Sequence, residues 1–177
     1  MTRAVLSIGS NLGDRLARLR SVVDGFGDAV VGVSPVYETA PWGGPGLVPD
    51  QGPFLNAVLI VEHPDFDGRA WLKRGQELEQ AAQRVRERRW GPRTLDVDVV
   101  SCRNGSGEII LHEPDLVLPH PLAHRRAFVL VPWLDVDPAA ELTVDGVGCP
   151  VARLLADIAP ADRAAVVRTD LVLRSER

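Results

Sequence analysis

Five consecutive residues, Leu95-Asp96-Val97-Asp98-Val99, alternate between apolar and acidic. A β-strand sends successive side chains to opposite faces. The pattern therefore predicts a strand with Leu95, Val97 and Val99 against a core and both carboxylates on the other face. Asp96 and Asp98 then stand about 7 Å apart at the backbone, two strand rises, so their oxygens can converge on a hard cation. Magnesium prefers one or two carboxylates together with substrate phosphates and water, and two ions roughly 3.5–4 Å apart can share such a pair. Read alone, the same five residues also describe a strand with a solvated acidic face.

The segment before this strand is cationic. Arg84, Arg86, Arg88, Arg89 and Arg93 fall close together, whereas Lys73 is the only lysine of the chain. An arginine-rich helix end in solvent has this composition, and so does a polyphosphate site, where guanidinium forks grip phosphate oxygens beside a divalent ion. Gly91-Pro92 breaks the segment into a loop, and Trp90 adds a flat apolar surface. The net charge of -4 argues against general nucleic-acid or membrane-surface binding. No G-x-x-x-x-G-K-[ST] loop is present, and no G-x-G-x-x-G follows the first strand. A nucleotide would have to be held by arginines and metal.

The rest of the chain supplies the scaffold. Ala4 to Ile8 reads as a strand, broken by Gly9-Ser10-Asn11. Leu12, Leu16, Leu19, Val23 and Phe26 recur at helical spacing, which predicts a helix over 13–26 closed by Gly27. Strands follow at 30–38 and 54–62, separated by a Gly/Pro-rich loop over 41–53 of a length that compact domains reserve for function or disorder. Asp67 caps a helix reaching about Val85, with Trp71, Gly75, Leu78, Ala82 and Val85 as its buried stripe and Gln76, Glu79 and Gln83 on another side. Strand 95–101, a short strand near 108–111, a Pro/His-rich loop and a short helix near 128–134 complete the informative part. The order strand, helix, strand, strand, helix, strand predicts one α+β domain over 1–177, a mainly antiparallel sheet with helices packed on its face. The longest apolar runs fall well short of the roughly 20 residues that span a bilayer. Cys102 and Cys149 lack metal-site spacing, and nothing at the start reads as a secretion signal, so the expected compartment is a reducing cytoplasm.

Taken together these stretches resemble the 6-hydroxymethyl-7,8-dihydropterin pyrophosphokinases of folate biosynthesis. The strongest match is Arg89-Trp90-Gly91-Pro92-Arg93-Thr94-Leu95-Asp96-Val97-Asp98. Gly9-Ser10-Asn11-Leu12, Tyr37 to Pro41, Phe54-Leu55-Asn56-Ala57, Arg84-Val85-Arg86 and Pro119-His120 with Arg126 and Phe128 follow in the family's order, over about 4–134. The resemblance implies a ferredoxin-like fold, a monomer, and transfer of the β,γ-diphosphate of ATP to the hydroxymethyl oxygen of the pterin with release of AMP. It implies two Mg2+ ions on Asp96 and Asp98, and catalytic arginines at Arg84 and Arg93. Nucleotide contacts fall to Gln76, Glu79, Arg86, Arg89, Trp90, Val99, His120 and Arg126. Pterin contacts fall to Thr39, Pro41, Trp42, Phe54, Asn56 and Phe128. Without the resemblance, Phe54 and Phe128 are ordinary core aromatics and Asn56 a satisfied strand amide. Phe54 stands where the family often has tyrosine, which keeps a stacking surface and removes a hydroxyl.

A competing reading is a ferredoxin-like module for single-stranded nucleic acid, since such sheets stack bases on exposed aromatics. The acidic pair on the sheet, the net charge and the lack of a K/R-G-F/Y-G/A-F-V-x-F/Y stretch oppose it. ATP and a pterin are the expected partners; nucleic acid and membrane are not.

Overall fold

The computed structural model describes residues 1–40, 52–83 and 95–174. The first half of the chain builds β1 (Thr2–Ser10), α1 (Arg15–Phe26), β2 (Val30–Val33), β3 (Tyr37–Thr39), β4 (Phe54–His63), α2 (Gly68–Gln83) and β5 (Asp96–Asn104). β1 lies between β4 and β5, antiparallel to both. β4 also pairs with β2 and β3, again antiparallel. The expected strand over 30–38 is split in two. Pro35 lacks an amide donor, and Ser34 turns its backbone and its hydroxyl onto Val58 on either side of the break.

The second half adds β6 (Gly107–Glu108) beside β5, a hairpin of β7 (Leu111–Glu113) and β8 (Leu116–Leu118), and α3 (Ala127–Val136). A second hairpin, β9 (Glu141–Val144) and β10 (Val147–Pro150), precedes α4 (Val151–Ala156) and α5 (Pro160–Ala164). The two hairpin residues Asp145 and Gly146 both hold positive φ, 51° and 80°, as a tight two-residue β-turn requires. β11 (Val167–Arg168) then returns to pair with β3, so the sheet runs β11-β3-β4-β1-β5-β6 with β2 also on β4.

The helices form where sequence patterning predicts. Asp14 caps α1 by accepting from the amide of Ala17, and Asp67 caps α2 by accepting from Ala70; each cap satisfies an otherwise orphaned donor. α1 presents Leu19, Val22, Val23 and Phe26, and α2 presents Trp71, Gly75 and Ala82. They cover Leu6 and Ile8 of β1, Leu59 of β4, and Val97 and Val99 of β5. A fully buried Leu or Ile of this kind contributes about 1.5–3 kcal/mol. At Gly75 a Cβ would lie 3.0 Å from Val97 Cγ1, so this glycine lets α2 settle directly on β5. Val85, the last residue of the expected stripe, lies outside the described residues.

The opposite face is covered by α3, giving a second core of Val5, Val58, Ile60, Val100, Leu130 and Trp133. Alternation from Val99 sends Val100 to the α3 side. The β1–β5 register then shifts between Val5 and Leu6, and this β-bulge returns Cys102 to the first core with Val99. The fold is thus α+β with an antiparallel main sheet, helices on one face as expected and a further helix on the other.

Candidate active site

The α3 face of the sheet changes character along its strands. Register places Tyr37, Asn56, Gly9 and Asp96 in one row across β3, β4, β1 and β5, and Val58, Ser7 and Asp98 in the next. Thr39 pairs with Phe54 beyond them. Alternation puts all these side chains on the same face. There Ser7, Gly9, Thr39, Phe54, Asn56, Asp96 and Asp98 line a cavity of about 170 Å³ with Ala40, Arg126 and Phe128. A cavity of roughly 150 Å³ holds a benzene-sized ring, so this one accepts a flat heterocycle. Phe54 and Phe128 supply apolar walls, Asn56 an amide, and Asp96 and Asp98 a carboxylate floor at one end.

Three local devices hold these groups. The amide Nδ2 of Asn56 donates to Thr39 Oγ1 at 2.7 Å, and Asn56 is 4% exposed. The guanidinium carbon of Arg126 sits 5.7 Å from the centre of the Phe128 ring, a cation–π distance that ties a positive charge to one wall. On the reverse side Glu79 of α2 accepts the backbone N–H of Val97 at 2.8 Å. Among the described residues only β1 pairs with β5 at this level, and Val97 lies between the two aspartates, so Glu79 fixes the strand segment that carries both carboxylates.

His120 stands beside this floor. Its backbone N–H donates to the carbonyl of Val100 at 2.8 Å, and its Nδ1 accepts from the amide of Leu122 at 3.2 Å. Burial lowers the imidazole pKa below its ordinary value; the negative charge of Asp98 opposes that shift and the positive charge of Arg126 adds to it. Its side chain borders a second cavity, with His112 and His124.

Of the residues singled out from sequence, Thr39, Phe54, Asn56, Asp96, Asp98, Arg126 and Phe128 share one cavity. His120 adjoins it, Glu79 braces it from behind, and Gln76 is exposed on α2. Val99 of β5 turns its side chain away from the cavity. It is 5% exposed and packed in the core under α1 and α2, on the face opposite Asp98, so only its backbone remains for a ligand. Arg84, Arg86, Arg89, Trp90, Arg93, Pro41 and Trp42 lie outside the described residues. Sequence reasoning missed Ser7 and Gly9 as lining residues; their place opposite Asp98 and Asp96 follows from strand register alone. Asn11 is 5% exposed, with neither amide atom bonded to a described residue. Among the described residues no group of three or more His, Cys, Asp or Glu side chains could hold a metal. Two carboxylates on one strand face nonetheless suit an ion that takes its remaining ligands from substrate and water. No helix among the described residues is long and apolar enough to cross a membrane.

Comparison with known proteins gives a consistent result. Residues 5–138 match the family model of 7,8-dihydro-6-hydroxymethylpterin-pyrophosphokinase (HPPK). The chain is 60% identical over 171 residues to a 2-amino-4-hydroxy-6-hydroxymethyldihydropteridine pyrophosphokinase of Mycobacterium tuberculosis (strain ATCC 25618 / H37Rv), covering 94% of this chain and 89% of the relative. It is 59% identical to the enzyme of that name from Mycobacterium leprae (strain TN), covering 100% of this chain and 94% of the relative. A Bacillus subtilis (strain 168) relative of the same name is 34% identical, over 75% of this chain and 77% of its own. Among solved structures, an HPPK-DHPS in complex with substrates superposes with TM-score 0.61 at 12% identity, over 88% of this chain. At that identity the likeness concerns the fold, and this chain spans 43% of the longer protein.

Proposed function

The chain belongs to the 7,8-dihydro-6-hydroxymethylpterin-pyrophosphokinase family and transfers the pyrophosphoryl group of ATP to a hydroxymethyl-dihydropterin in folate biosynthesis; from this premise we propose that the cavity under α3 is where the pterin alcohol is held and attacked. The observation that carries the proposal is the convergence of Phe54, Phe128, Asn56, Asp96 and Asp98 on one small cavity.

The chemistry needs three things, and the residues divide among them. A flat ring is sandwiched between Phe54 and Phe128, with Asn56 reading its polar edge. Asp96 and Asp98 would hold magnesium, two ions on the pair; bound there, the metal neutralises the triphosphate and orients the reacting oxygens. Arg126 contributes positive charge from the α3 side, while Arg84 and Arg93 are assigned to the phosphates that carry charge in the transition state. Gln76, Arg86, Arg89, Trp90, His120 and the backbone of Val99 are assigned to the nucleotide, with Glu79 acting through the strand it braces. Thr39, Pro41 and Trp42 complete the pterin side.

The pterin alcohol attacks the β-phosphorus in line. The new oxygen–phosphorus bond forms as the bond from the β-phosphorus to the α,β-bridging oxygen breaks, AMP leaves with that oxygen, and the alcohol proton is released. No side chain becomes covalently attached. In this reading the chain is a cytoplasmic monomer whose partners are ATP and the pterin. A polyanion such as RNA would meet the carboxylate floor.

The test is AMP release in the presence of ATP, 6-hydroxymethyl-7,8-dihydropterin and magnesium. AMP should require all three together. Saturating substrates without AMP release would overturn the reading.

A further inference from the structure

The groups assigned to the ring and those assigned to the phosphates stand on different strands. Phe54 and Asn56 belong to β4, Asp96 and Asp98 to β5. β1 runs between the two, so they are separated by about 10 Å, two strand spacings. The hydroxymethyl arm that joins ring to phosphate must therefore lie over β1. On this face β1 offers the cavity only Gly9 and Ser7. Gly9 carries no side chain, and a Cβ built there would meet Asn56 Oδ1 at 3.0 Å, so this position leaves room for the arm. Ser7 is then the one β1 side chain beside it.

The Ser7 hydroxyl has no other task. Ser7 is 6% exposed, and its Oγ makes no hydrogen bond to a described residue. Ser34, another buried serine next to β4, is bonded on both sides: its hydroxyl donates to the carbonyl of Pro35 and accepts from the amide of Val58, each at 2.8 Å. A buried hydroxyl is costly unless a partner meets it, and at Ser7 the cavity is where a partner fits. Asp98 fixes which way the hydroxyl faces. It lies directly opposite Ser7 on β5, about 4.5–5.5 Å away between Cβ atoms. A carboxylate only accepts, so its charge draws the Ser7 O–H towards β5 and leaves the oxygen lone pairs for a donor on the arm.

We propose that Ser7 holds the reacting hydroxyl of the substrate: its Oγ accepts the alcohol O–H, so that a lone pair of the alcohol oxygen is left to face the β-phosphorus. The inference rests on the reading of this cavity as the pterin site. Ser7 forms no bond to phosphorus and keeps its own proton. Its contribution is orientation, which raises the rate of the step more than it tightens binding of the nucleotide.

The experiment compares wild type with Ser7→Ala, which removes the hydroxyl alone, and Ser7→Thr, which keeps it on a residue that suits a strand. Dissociation constants are measured for 6-hydroxymethylpterin and for 6-methylpterin, whose arm lacks the oxygen. Magnesium is present with an ATP analogue carrying a methylene group at the α,β bridge, so that no AMP can leave. Wild type should favour the hydroxymethyl compound. In Ser7→Ala that preference should fall about threefold to tenfold, the range of one neutral hydrogen bond, with affinity for 6-methylpterin within about twofold of wild type. Ser7→Thr should retain the preference. With ATP itself, the single-turnover rate of AMP formation, which product release does not mask, should fall about tenfold in Ser7→Ala while the KM for ATP stays within about twofold.

A Ser7→Ala protein with the wild-type preference for the hydroxymethyl compound would overturn the inference while leaving the site reading standing. Equal loss of both pterins would do the same, because it would assign Ser7 to the ring or the fold rather than to the arm. Wild-type protein that binds neither pterin would overturn the site reading and this inference with it.

Discussion

The α3 face of the sheet divides into two halves that share strands, pairing and covering helix, yet behave differently. In one half Val5, Val58, Ile60 and Val100 pack against Leu130 and Trp133. In the other, one step along the same strands, Ser7, Asn56 and Asp98 take the places that valines hold in the first, and Gly9 and Asp96 follow. Val5 is succeeded on its face by Ser7, Val58 adjoins Asn56, and Val100 adjoins Asp98. Side chains rather than strand pairing make the site, because the same paired strands run through both halves. The sealed half anchors α3, and α3 projects Phe128 and the neighbouring Arg126 over the open half. A ligand cavity is thus the continuation of a core in which the filling side chains have been exchanged for small and polar ones.

The comparison can be broken most severely at Asp98. If the open half exists for chemistry, Asp98→Ala should lower AMP release by about a thousandfold or more, as loss of a group that holds metal and transition-state charge does. The same variant should keep its thermal unfolding midpoint, because removing one of two neighbouring like charges costs no core packing. Turnover and midpoint are measured on one preparation. Near-normal turnover would remove Asp98 from the machinery, and a collapsed midpoint would make it structural.

The opposite exchange tests the sealed half. Val58 is 0% exposed, so Val58→Asn puts an amide where nothing can solvate it. An unsatisfied buried polar group costs roughly 1–3 kcal/mol, and the lost valine contacts add to that. For a domain of this size each kcal/mol moves the midpoint by about 2–4 °C, so a fall of roughly 5–10 °C by circular dichroism is expected. A shift below about 2 °C would mean that the two halves tolerate polar atoms alike, and the distinction would fail.

Much of this contrast is legible in the amino-acid sequence alone. Alternation in Leu95 to Val99 puts Asp96 and Asp98 on one face and Val99 on the other, and the Asp67 cap, the α1 and α2 stripes and the α+β order all follow from local patterning. What escaped depends on contacts between distant residues or on single irregular positions. Pro35 interrupts the expected strand because it cannot donate to the ladder. The bulge that returns Cys102 to the first core is one extra residue in an otherwise regular alternation. The tail read as uninformative, yet Asp145-Gly146 is a strong hairpin signal, and β11 joins the main sheet only through its register with Tyr37 and Glu38. The Thr39–Asn56 and Glu79–Val97 bonds need strand register and helix placement, which no local window contains.

The smallest expected effect lies at the seam between the halves. Tyr37 shares a row with Asn56, is 5% exposed, and donates its hydroxyl to Asp135 on α3. Burial first, then the hydrogen bond to Asp135 and its negative charge, push the phenol pKa up from 10.0 to about 12. A group whose folded pKa lies above its unfolded value gives stability that is fully present below the unfolded pKa and is lost as pH rises through the folded one. The Tyr37 contribution should therefore hold below about pH 10 and disappear towards pH 12. Tyr37→Phe should cost about 1 kcal/mol at neutral pH, because Asp135 is exposed and regains water. The informative readout is the difference in unfolding free energy between wild type and Tyr37→Phe, which cancels every other titration the two proteins share. It should fall between about pH 10 and 12, passing through zero, and then level off. A difference that stays constant across that window would mean that the phenol does not tie α3 to β3, and that the sealed half alone sets the height of the cavity roof.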